Sequence, residues 1–275
     1  LLLRYLKSLI YNSVAELRKN KIIMSMKYLL LLVLFVGFSC IEPNVKDMLG
    51  DDFRLYKHTP AWSLAKAVED EDTTEISKQV LQMHIPVDYR DPKYKQTLLM
   101  LATRTNKIES VEKLLELGAN PNAHNDSTKY FGQSAVLLAC RFTGPSSKVL
   151  ALLLKYGGDP NSTACGVKEN GLGEIVPMRD FALSAAVFSS FEKVKLLVDA
   201  GANINYATST ENCAIENCMI HGKMDIMLYL LQKGADYRRK FTEIDVDKPD
   251  YPTFEVDILY KLRKCVYPIG SKAYK

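Results

Sequence analysis

The sequence is poor in the residues from which catalytic and metal centres are built. Its four histidines, His58, His84, His124 and His221, are scattered. None has the HExxH spacing that sets two imidazoles on one helix face, and there is no GxSxG nucleophile elbow. The six cysteines, Cys40, Cys140, Cys165, Cys213, Cys218 and Cys265, form no CxxC pair and no zinc-type spacing. With Cys40 used otherwise, an odd number remains, which speaks against a complete disulfide framework, and the thiols are expected to be small buried hydrophobes. Gly171-Leu172-Gly173 is a lone GxG in a loop. Asp70-Glu71-Asp72 and Asp245-Val246-Asp247 lack the ligand spacing of a calcium loop and read as solvated charges. A reaction centre needs a nucleophile with its base, a metal set or paired carboxylates in a pocket. The chain is therefore expected not to be an enzyme, to hold no cofactor or metal, and to have no small-molecule substrate.

An excess of positive charge is also missing from most of the chain. Six of the 36 basic residues (Arg4, Lys7, Arg18, Lys19, Lys21, Lys27) and one of the 32 acidic ones (Glu16) precede Cys40, leaving 30 basic against 31 acidic residues after it. A nucleic-acid binder needs a basic face that releases counterions from phosphates. Nucleic acid is thus excluded as the expected partner. With 47% hydrophobic and 25% charged residues, the composition is that of a folded chain rather than a disordered one.

The apolar run near the start is too short to span a bilayer, which takes about 20 residues. Leu1 is not an initiator, and residues 1–23 are expected to lie upstream of the true start. From Met26 the text reads Met-Lys-Tyr, then an almost wholly apolar Leu29 to Phe38, then Ser39-Cys40. A positive n-region, a short h-region and small residues at the end make a secretory signal. The close, Gly37-Phe38-Ser39-Cys40, resembles the lipobox of bacterial lipoproteins, although Phe38 is bulkier than the usual residue there. The resemblance implies cleavage before Cys40 and lipidation of that cysteine. It also implies attachment to a bacterial envelope membrane. Ile41, where an aspartate would retain the protein at the inner membrane, points to the outer membrane on its periplasmic side. Residues 1–39 are read as leader and 40–58 as a lipidated tether.

Internal periodicity organises the remainder. Gly118-Ala119-Asn120-Pro121-Asn122, Gly157-Gly158-Asp159-Pro160-Asn161, Gly201-Ala202-Asn203-Ile204-Asn205 and Gly234-Ala235-Asp236-Tyr237 are one phrase written four times. Aliphatic pairs precede it: Leu114-Leu115, Leu153-Leu154, Leu196-Leu197 and Leu230-Leu231. Val111, Leu150, Val194 and Met227 stand one turn or less before those pairs and complete an apolar stripe. Upstream lie short apolar runs that contain Ala102, Ala139 and Ala186, small enough for two helices to approach closely. Each unit thus reads as two short helices, the second ended by a glycine in the left-handed region. Helices this short are marginal alone, since about 12–15 residues are needed in water. They must stack on their neighbours to bury their stripes.

The phrase resembles the ankyrin repeat from about residue 59 to 265, although the usual threonine-proline-leucine-histidine opening is degraded to Thr97-Leu98-Leu99-Met100. The resemblance implies an all-α, ankyrin-type helix-pair solenoid with short hairpin fingers. It would hold about five repeats over 59–265, with 266–275 as a tail. Pro60 to Asp88 looks like an N-terminal cap whose glycine is replaced around His84-Ile85-Pro86. Tyr251 to Leu262 looks like a closing helix. The marker glycines are 39, 44 and 33 residues apart; only the last matches the family period, and the excess falls in the fingers. The family holds protein partners with its fingers and with the residues at the end of each first helix. Transferred to this sequence, those positions are Arg104 and Thr105, Arg141 and Phe142, Phe188 and Ser189, and Ile220 and His221. His124 stands at a finger base, and Tyr130, Phe131 and Arg179 lie in the long fingers. The expected function is a membrane-tethered, non-catalytic module that captures a protein partner. A structural envelope component without a specific partner, and an effector or antioxidant accessory acting on a host or redox target, stay open as alternatives.

Lipid on Cys40 is testable directly. Two or more acyl chains anchor a protein stably where one does so only marginally, so the wild type should fractionate with membranes and begin, by mass, at a modified Cys40. Cys40→Ser should release it; an unmodified Cys40 in a soluble wild type would refute the assignment.

Overall fold

The computed structural model describes residues 48–141, 144–169, 173–178, 180–207, 213–244, 253–258 and 260. Among them are five helix pairs: α1 Trp62–Glu69 with α2 Thr73–Leu81, α3 Leu98–Arg104 with α4 Ile108–Glu116, α5 Ala135–Arg141 with α6 Ser147–Lys155, α7 Ala182–Ser189 with α8 Phe191–Asp199, and α9 Ala214–Ile220 with α10 Met224–Gln232. The first helices pack on one another in chain order, α1 on α3, α3 on α5, α5 on α7 and α7 on α9. A second row forms behind them, α2 on α4, α4 on α6 and α6 on α8.

Burial explains the two rows. Six consecutive residues of α5, Ala135 to Cys140, are buried, as are Leu98 to Thr103 of α3 and Ala182 to Val187 of α7. A helix buried all round needs neighbours on every side, and the first-row helices have them. The second-row helices keep one apolar stripe, Val111, Leu114 and Leu115 in α4, while Glu109 and Lys113 face outward or lie at its edge. Burying each such leucine contributes about 1.5–3 kcal/mol.

Each second helix ends in the same way. Gly118 N–H donates to the Leu115 carbonyl (3.0 Å) and Ala119 N–H to the Leu114 carbonyl (3.0 Å), the paired bonds of a Schellman turn. Gly157, Gly201 and Gly234 repeat it, and all four glycines have φ between 86° and 98°. In the first pair the same conformation is carried by His84, at φ 56°.

Beyond each turn, side chains tie one repeat to the next. Asn120 N–H donates to the Asp88 carboxylate (3.1 Å), Asp159 N–H to Asn122 Oδ1 (2.7 Å), Asn203 N–H to Asn161 Oδ1 (2.7 Å) and Asp236 N–H to Asn205 Oδ1 (2.8 Å). Asn122 and Asn205 donate onward from Nδ2 to the carbonyls of Gly157 (2.9 Å) and Gly234 (3.2 Å). The glycine phrase is therefore a ladder as well as a helix stop.

The fingers are hairpins closed by isolated antiparallel bridges, Arg90 with Thr97, His124 with Ser134, Thr163 with Phe181 and Ala207 with Cys213. The third carries a two-stranded extension, β1 Val167–Glu169 against β2 Ile175–Pro177.

The helix pairs fit the expected all-α helix-pair repeat fold, to which the third finger and a second hairpin near the C-terminus add short strands. Two expectations are corrected. The second hairpin, β3 Phe241–Ile244 against β4 Thr253–Val256, takes the first part of the expected closing helix, whereas Ile258 and Tyr260 beyond it are helical. Thr253, Phe254 and Val256 are β-branched or aromatic and suit a strand better. Leu259 and Leu262 lie outside the described residues. Finally, the packed body starts before residue 59: Met48, Phe53, Leu55 and Tyr56 are buried, so much of the expected tether belongs to the fold. The leader and Cys40 lie outside the described residues.

Leu114 is fully buried, and Leu114→Ala should cost about 2–5 kcal/mol. Asn122→Ala removes ladder bonds at the surface and should cost about 0.5–1.5 kcal/mol per bond. Denaturant unfolding of the two variants checks both magnitudes; a Leu114 loss of the surface size would contradict its placement.

Candidate functional site

The finger bases put one kind of position in register from repeat to repeat. In the first finger Asp91 N–H donates to the Gln96 carbonyl (3.0 Å), and the Asp91 carboxylate accepts the N–H groups of Lys93 (2.8 Å), Tyr94 (2.7 Å) and Gln96 (2.8 Å). Burial pushes the Asp91 carboxyl above its usual range, opposed by those backbone bonds. Asn125 has the same place in the second finger: its N–H donates to the Gln133 carbonyl (3.1 Å), and its Oδ1 accepts Gln133 N–H (2.6 Å). In the third, Ala164 N–H donates to the Asp180 carbonyl (2.8 Å). Gln96, Gln133 and Asp180 are therefore equivalent. The first helix that follows each of them ends in turn on Arg104, Arg141 and Phe188 or beside it.

At the first of these positions the chain covers itself. Gln96 Nε2 donates to the Gly50 carbonyl (2.8 Å), and the Tyr56 hydroxyl donates to the Gln96 carbonyl (2.8 Å). The Met48 carbonyl accepts from Lys93 Nζ (2.7 Å) and the Tyr94 hydroxyl (3.0 Å). The Arg104 guanidinium lies flat enough against Gly50 that a Cβ there would sit 3.6 Å from Nη1. Burial lowers the Arg104 pKa, and the charge of Asp51 opposes the shift.

At the second and third positions no described segment lies across the surface in this way. Arg141 pairs with Asp180 (3.1 Å), and its guanidinium lies 5.4 Å from the Phe131 ring centroid. Arg141, Asp180, Ser184, Ala185 and Phe188 line a cavity of about 320 Å³. Phe188 meets the His221 ring edge-on at 4.5 Å. Phe131, Phe188 and Ile220 are 42%, 45% and 63% exposed. Phe131, Arg141, Phe188 and His221 thus make a ledge with a charged pair inside it, and Ile220 stands beside His221. Gln133 is buried, yet its Nε2 has no acceptor.

Residues 64–164 match the family model for ankyrin repeats, in three copies. That segment, residues 64–164, carries ankyrin repeats. "Ankyrin repeat and KH domain-containing protein mask-1" of Caenorhabditis elegans is 27% identical over 198 residues. The match covers 66% of this chain and 7% of that protein, so the chain spans a small fraction of the relative's length.

The stacked helix pairs sort the residues expected to meet a partner. Phe131, Arg141, Phe188 and His221 come together on the ledge. Arg104 is held by the chain's own Gly50. Thr105 Oγ1 donates to the Leu101 carbonyl (2.9 Å) and finishes α3. Ser189 Oγ accepts from the buried Lys193 Nζ (2.9 Å). His124 Nε2 meets the Thr163 carbonyl (3.1 Å) and joins two fingers, and the Tyr130 ring packs on Tyr94 at 4.7 Å. Phe142 and Arg179 lie outside the described residues. Cys140, Cys213 and Cys218 are buried as expected, whereas Cys165 is exposed. Burial pushes the Cys140 and Cys218 thiols up to about 12, so neither supplies a thiolate at neutral pH.

The sequence reading missed two things. One is the repeated phrase Gln96-Thr97-Leu98 to Arg104 and Gln133-Ser134-Ala135 to Arg141, whose shared glutamine and arginine carry the equivalence. The other is the joint between Gly132 and Gly166. The N–H groups of Cys165, Gly166 and Val167 donate to the Gly132, Phe131 and Tyr130 carbonyls, each at 3.1 Å. A Cβ on either glycine would collide with the opposing backbone, so the fingers meet there only because both are glycine.

A buried donor without an acceptor costs about 1–3 kcal/mol, and a typical hydrogen bond contributes about 0.5–1.5 kcal/mol. Gln133→Met should therefore leave stability level or raise it, while Gln96→Met should lower it. Unfolding midpoints decide this; a larger loss at Gln133 would show that its amide is satisfied.

Proposed function

We propose that this chain is a non-catalytic protein-binding module, an ankyrin solenoid held at a bacterial envelope membrane by lipid on Cys40. The ledge is where the partner sits. The observation that carries this reading is the run of half-exposed rings, Phe131 and Phe188, on either side of the Arg141–Asp180 pair. Aromatic residues and arginine are the side chains that most often anchor interfaces. A half-exposed phenylalanine forgoes part of the roughly 1.5–3 kcal/mol that full burial would give. A partner that covers the rings recovers it.

The membrane part rests on the signal-like run ending at Cys40, and the protein-binding part on the repeats and the ledge. The near-neutral charge after Cys40 favours a protein over a nucleic acid.

The test is co-purification of the full chain with its partner from membranes, compared with a Phe131→Ala, Phe188→Ala double variant. Capture should fall about tenfold or more, while unfolding free energy changes by no more than about 1 kcal/mol. Unchanged capture in a folded variant would refute the ledge as the binding surface. A sharp loss of stability would show the two rings to be core instead.

A further inference from the structure

We propose that the cavity on the ledge takes the guanidinium of an arginine side chain presented by the protein partner, held by the Asp180 carboxylate and the Phe188 ring. The inference deepens the protein-binding reading and rests on it.

The cavity exists because three side chains shrink together in the fourth helix pair. The finger bridges Arg90 with Thr97, His124 with Ser134 and Thr163 with Phe181 set the register of the units. In that register Asp180 takes the place of Gln96 and Gln133, Ser184 that of Met100 and Leu137, and Ala185 that of Leu101 and Leu138. The two glutamines and the four apolar residues are at most 1% exposed. Their shorter counterparts leave the space of about 320 Å³ that Arg141, Asp180, Ser184, Ala185 and Phe188 line. Phe188, at the place of Arg104 and Arg141, gives that space a ring where a third guanidinium would stand.

The chain's own arginine shows how this carboxylate receives a guanidinium. Arg141 Nη1 lies 3.1 Å from Asp180 Oδ2, and the guanidinium is 5.4 Å from the Phe131 ring centroid. Ring, cation and carboxylate thus follow one another, and beyond the carboxylate lie the cavity and a second ring, Phe188. A second guanidinium in the cavity completes the series. Asp180 can share itself: an ionised carboxylate has about four lone-pair sites, and Nη1 makes no aligned hydrogen bond despite its distance. The two side chains are 36% and 35% exposed, so an incoming group reaches them, and a pair this exposed contributes little in water. Ser184 Oγ already accepts from Asn217 Nδ2 (2.5 Å), which leaves the carboxylate as the group that recognises a cation. An ammonium would meet the charge, but only the planar guanidinium also forms a bidentate pair and stacks on a ring.

The test uses the full chain labelled with nitrogen-15, and N-acetyl-L-arginine methylamide as the probe. Saturable shifts are expected at the Ser184 and Ala185 amides. The citrulline analogue, neutral and of nearly the same shape, should bind about tenfold more weakly, and the glutamate analogue should not bind. Asp180→Asn should weaken arginine about tenfold or more. Ala185→Leu, which restores the leucine of the two preceding units, should abolish binding by filling the cavity. Arg141→Gln should strengthen it, because the carboxylate loses a competitor. Circular dichroism and melting establish that each variant is folded; where one is not, arginine against citrulline on the wild type decides. Absence of saturable shifts, or equal binding of arginine and citrulline, would overturn the proposal. So would a preference for the glutamate analogue that Arg141→Gln removes, since Arg141 would then be the recognising group. If blocked arginine fails while the Phe131, Phe188 variant still loses its captured partner, this inference is wrong and the protein-binding reading stands. If blocked arginine binds while that variant keeps its partner, the ledge reading is wrong, and with it the assignment of the arginine to the partner.

Discussion

The hydrogen bonds from the second residue after each marker turn to the carboxylate or amide side chain of the preceding repeat set the spacing on which everything else rests. Asp88, Asn122, Asn161 and Asn205 each reach forward to one backbone N–H of the next unit. The same residues or their neighbours close their own turns: Asn122, Asn161 and Asn205 N–H groups donate to Asn120, Asp159 and Asn203 side chains at 2.8–3.0 Å. Each bond is modest and lies at the surface, where water competes. Their effect comes from repetition, because they hold every unit at one distance and one angle from the last. With that fixed, the buried faces of α3, α5 and α7 meet, and helices too short to stand alone become a continuous core.

The ladder also explains why the finger insertions do no damage. Extra residues between Asn125 and Gln133, and between Thr163 and Asp180, leave the chain after the ladder and rejoin it before the next buried helix. Both departures are closed by a single bridge, His124 with Ser134 and Thr163 with Phe181. The cost of lengthening a surface loop grows slowly with its length. What the insertions add is contact between neighbouring fingers, through Gly132 against Gly166, which fixes Tyr130 and Phe131 beside Arg141. The ledge therefore depends on two layers, the regular repeat below and an irregular pair of fingers above.

Polar groups in this protein divide by whether the chain itself completes them. Asp91, the Gln96 carbonyl and Gln96 Nε2 are all bonded within the fold. Gln133 Nε2, eight residues before Arg141 in the sequence, is buried without an acceptor. The same local sequence thus meets two environments, and the difference is made by a remote segment, Met48 to Asp52, that reaches only the first of them.

The helix pairs, their order and the glycine turns were legible in the sequence because they are local. An apolar stripe at helical spacing, followed by a residue that tolerates positive φ, specifies a short helix and its end whatever lies nearby. His84 shows the limit of that logic: no glycine marks it, yet its backbone takes the left-handed conformation at φ 56°. The hairpin at Thr253–Val256 shows another, since three β-forming residues, Thr253, Phe254 and Val256, beside a helix-like pattern are decided by the partner strand Phe241–Ile244. Composition alone determined that the body has no net basic excess, and spacing alone that no familiar metal or nucleophile motif is present. Only the tertiary structure decided that Arg104 is covered by Gly50 while Arg141 stands between two exposed rings. The two arginines occupy the same position in successive repeats. What separates them is contact across 40 or more residues of chain, a relation that no local pattern encodes.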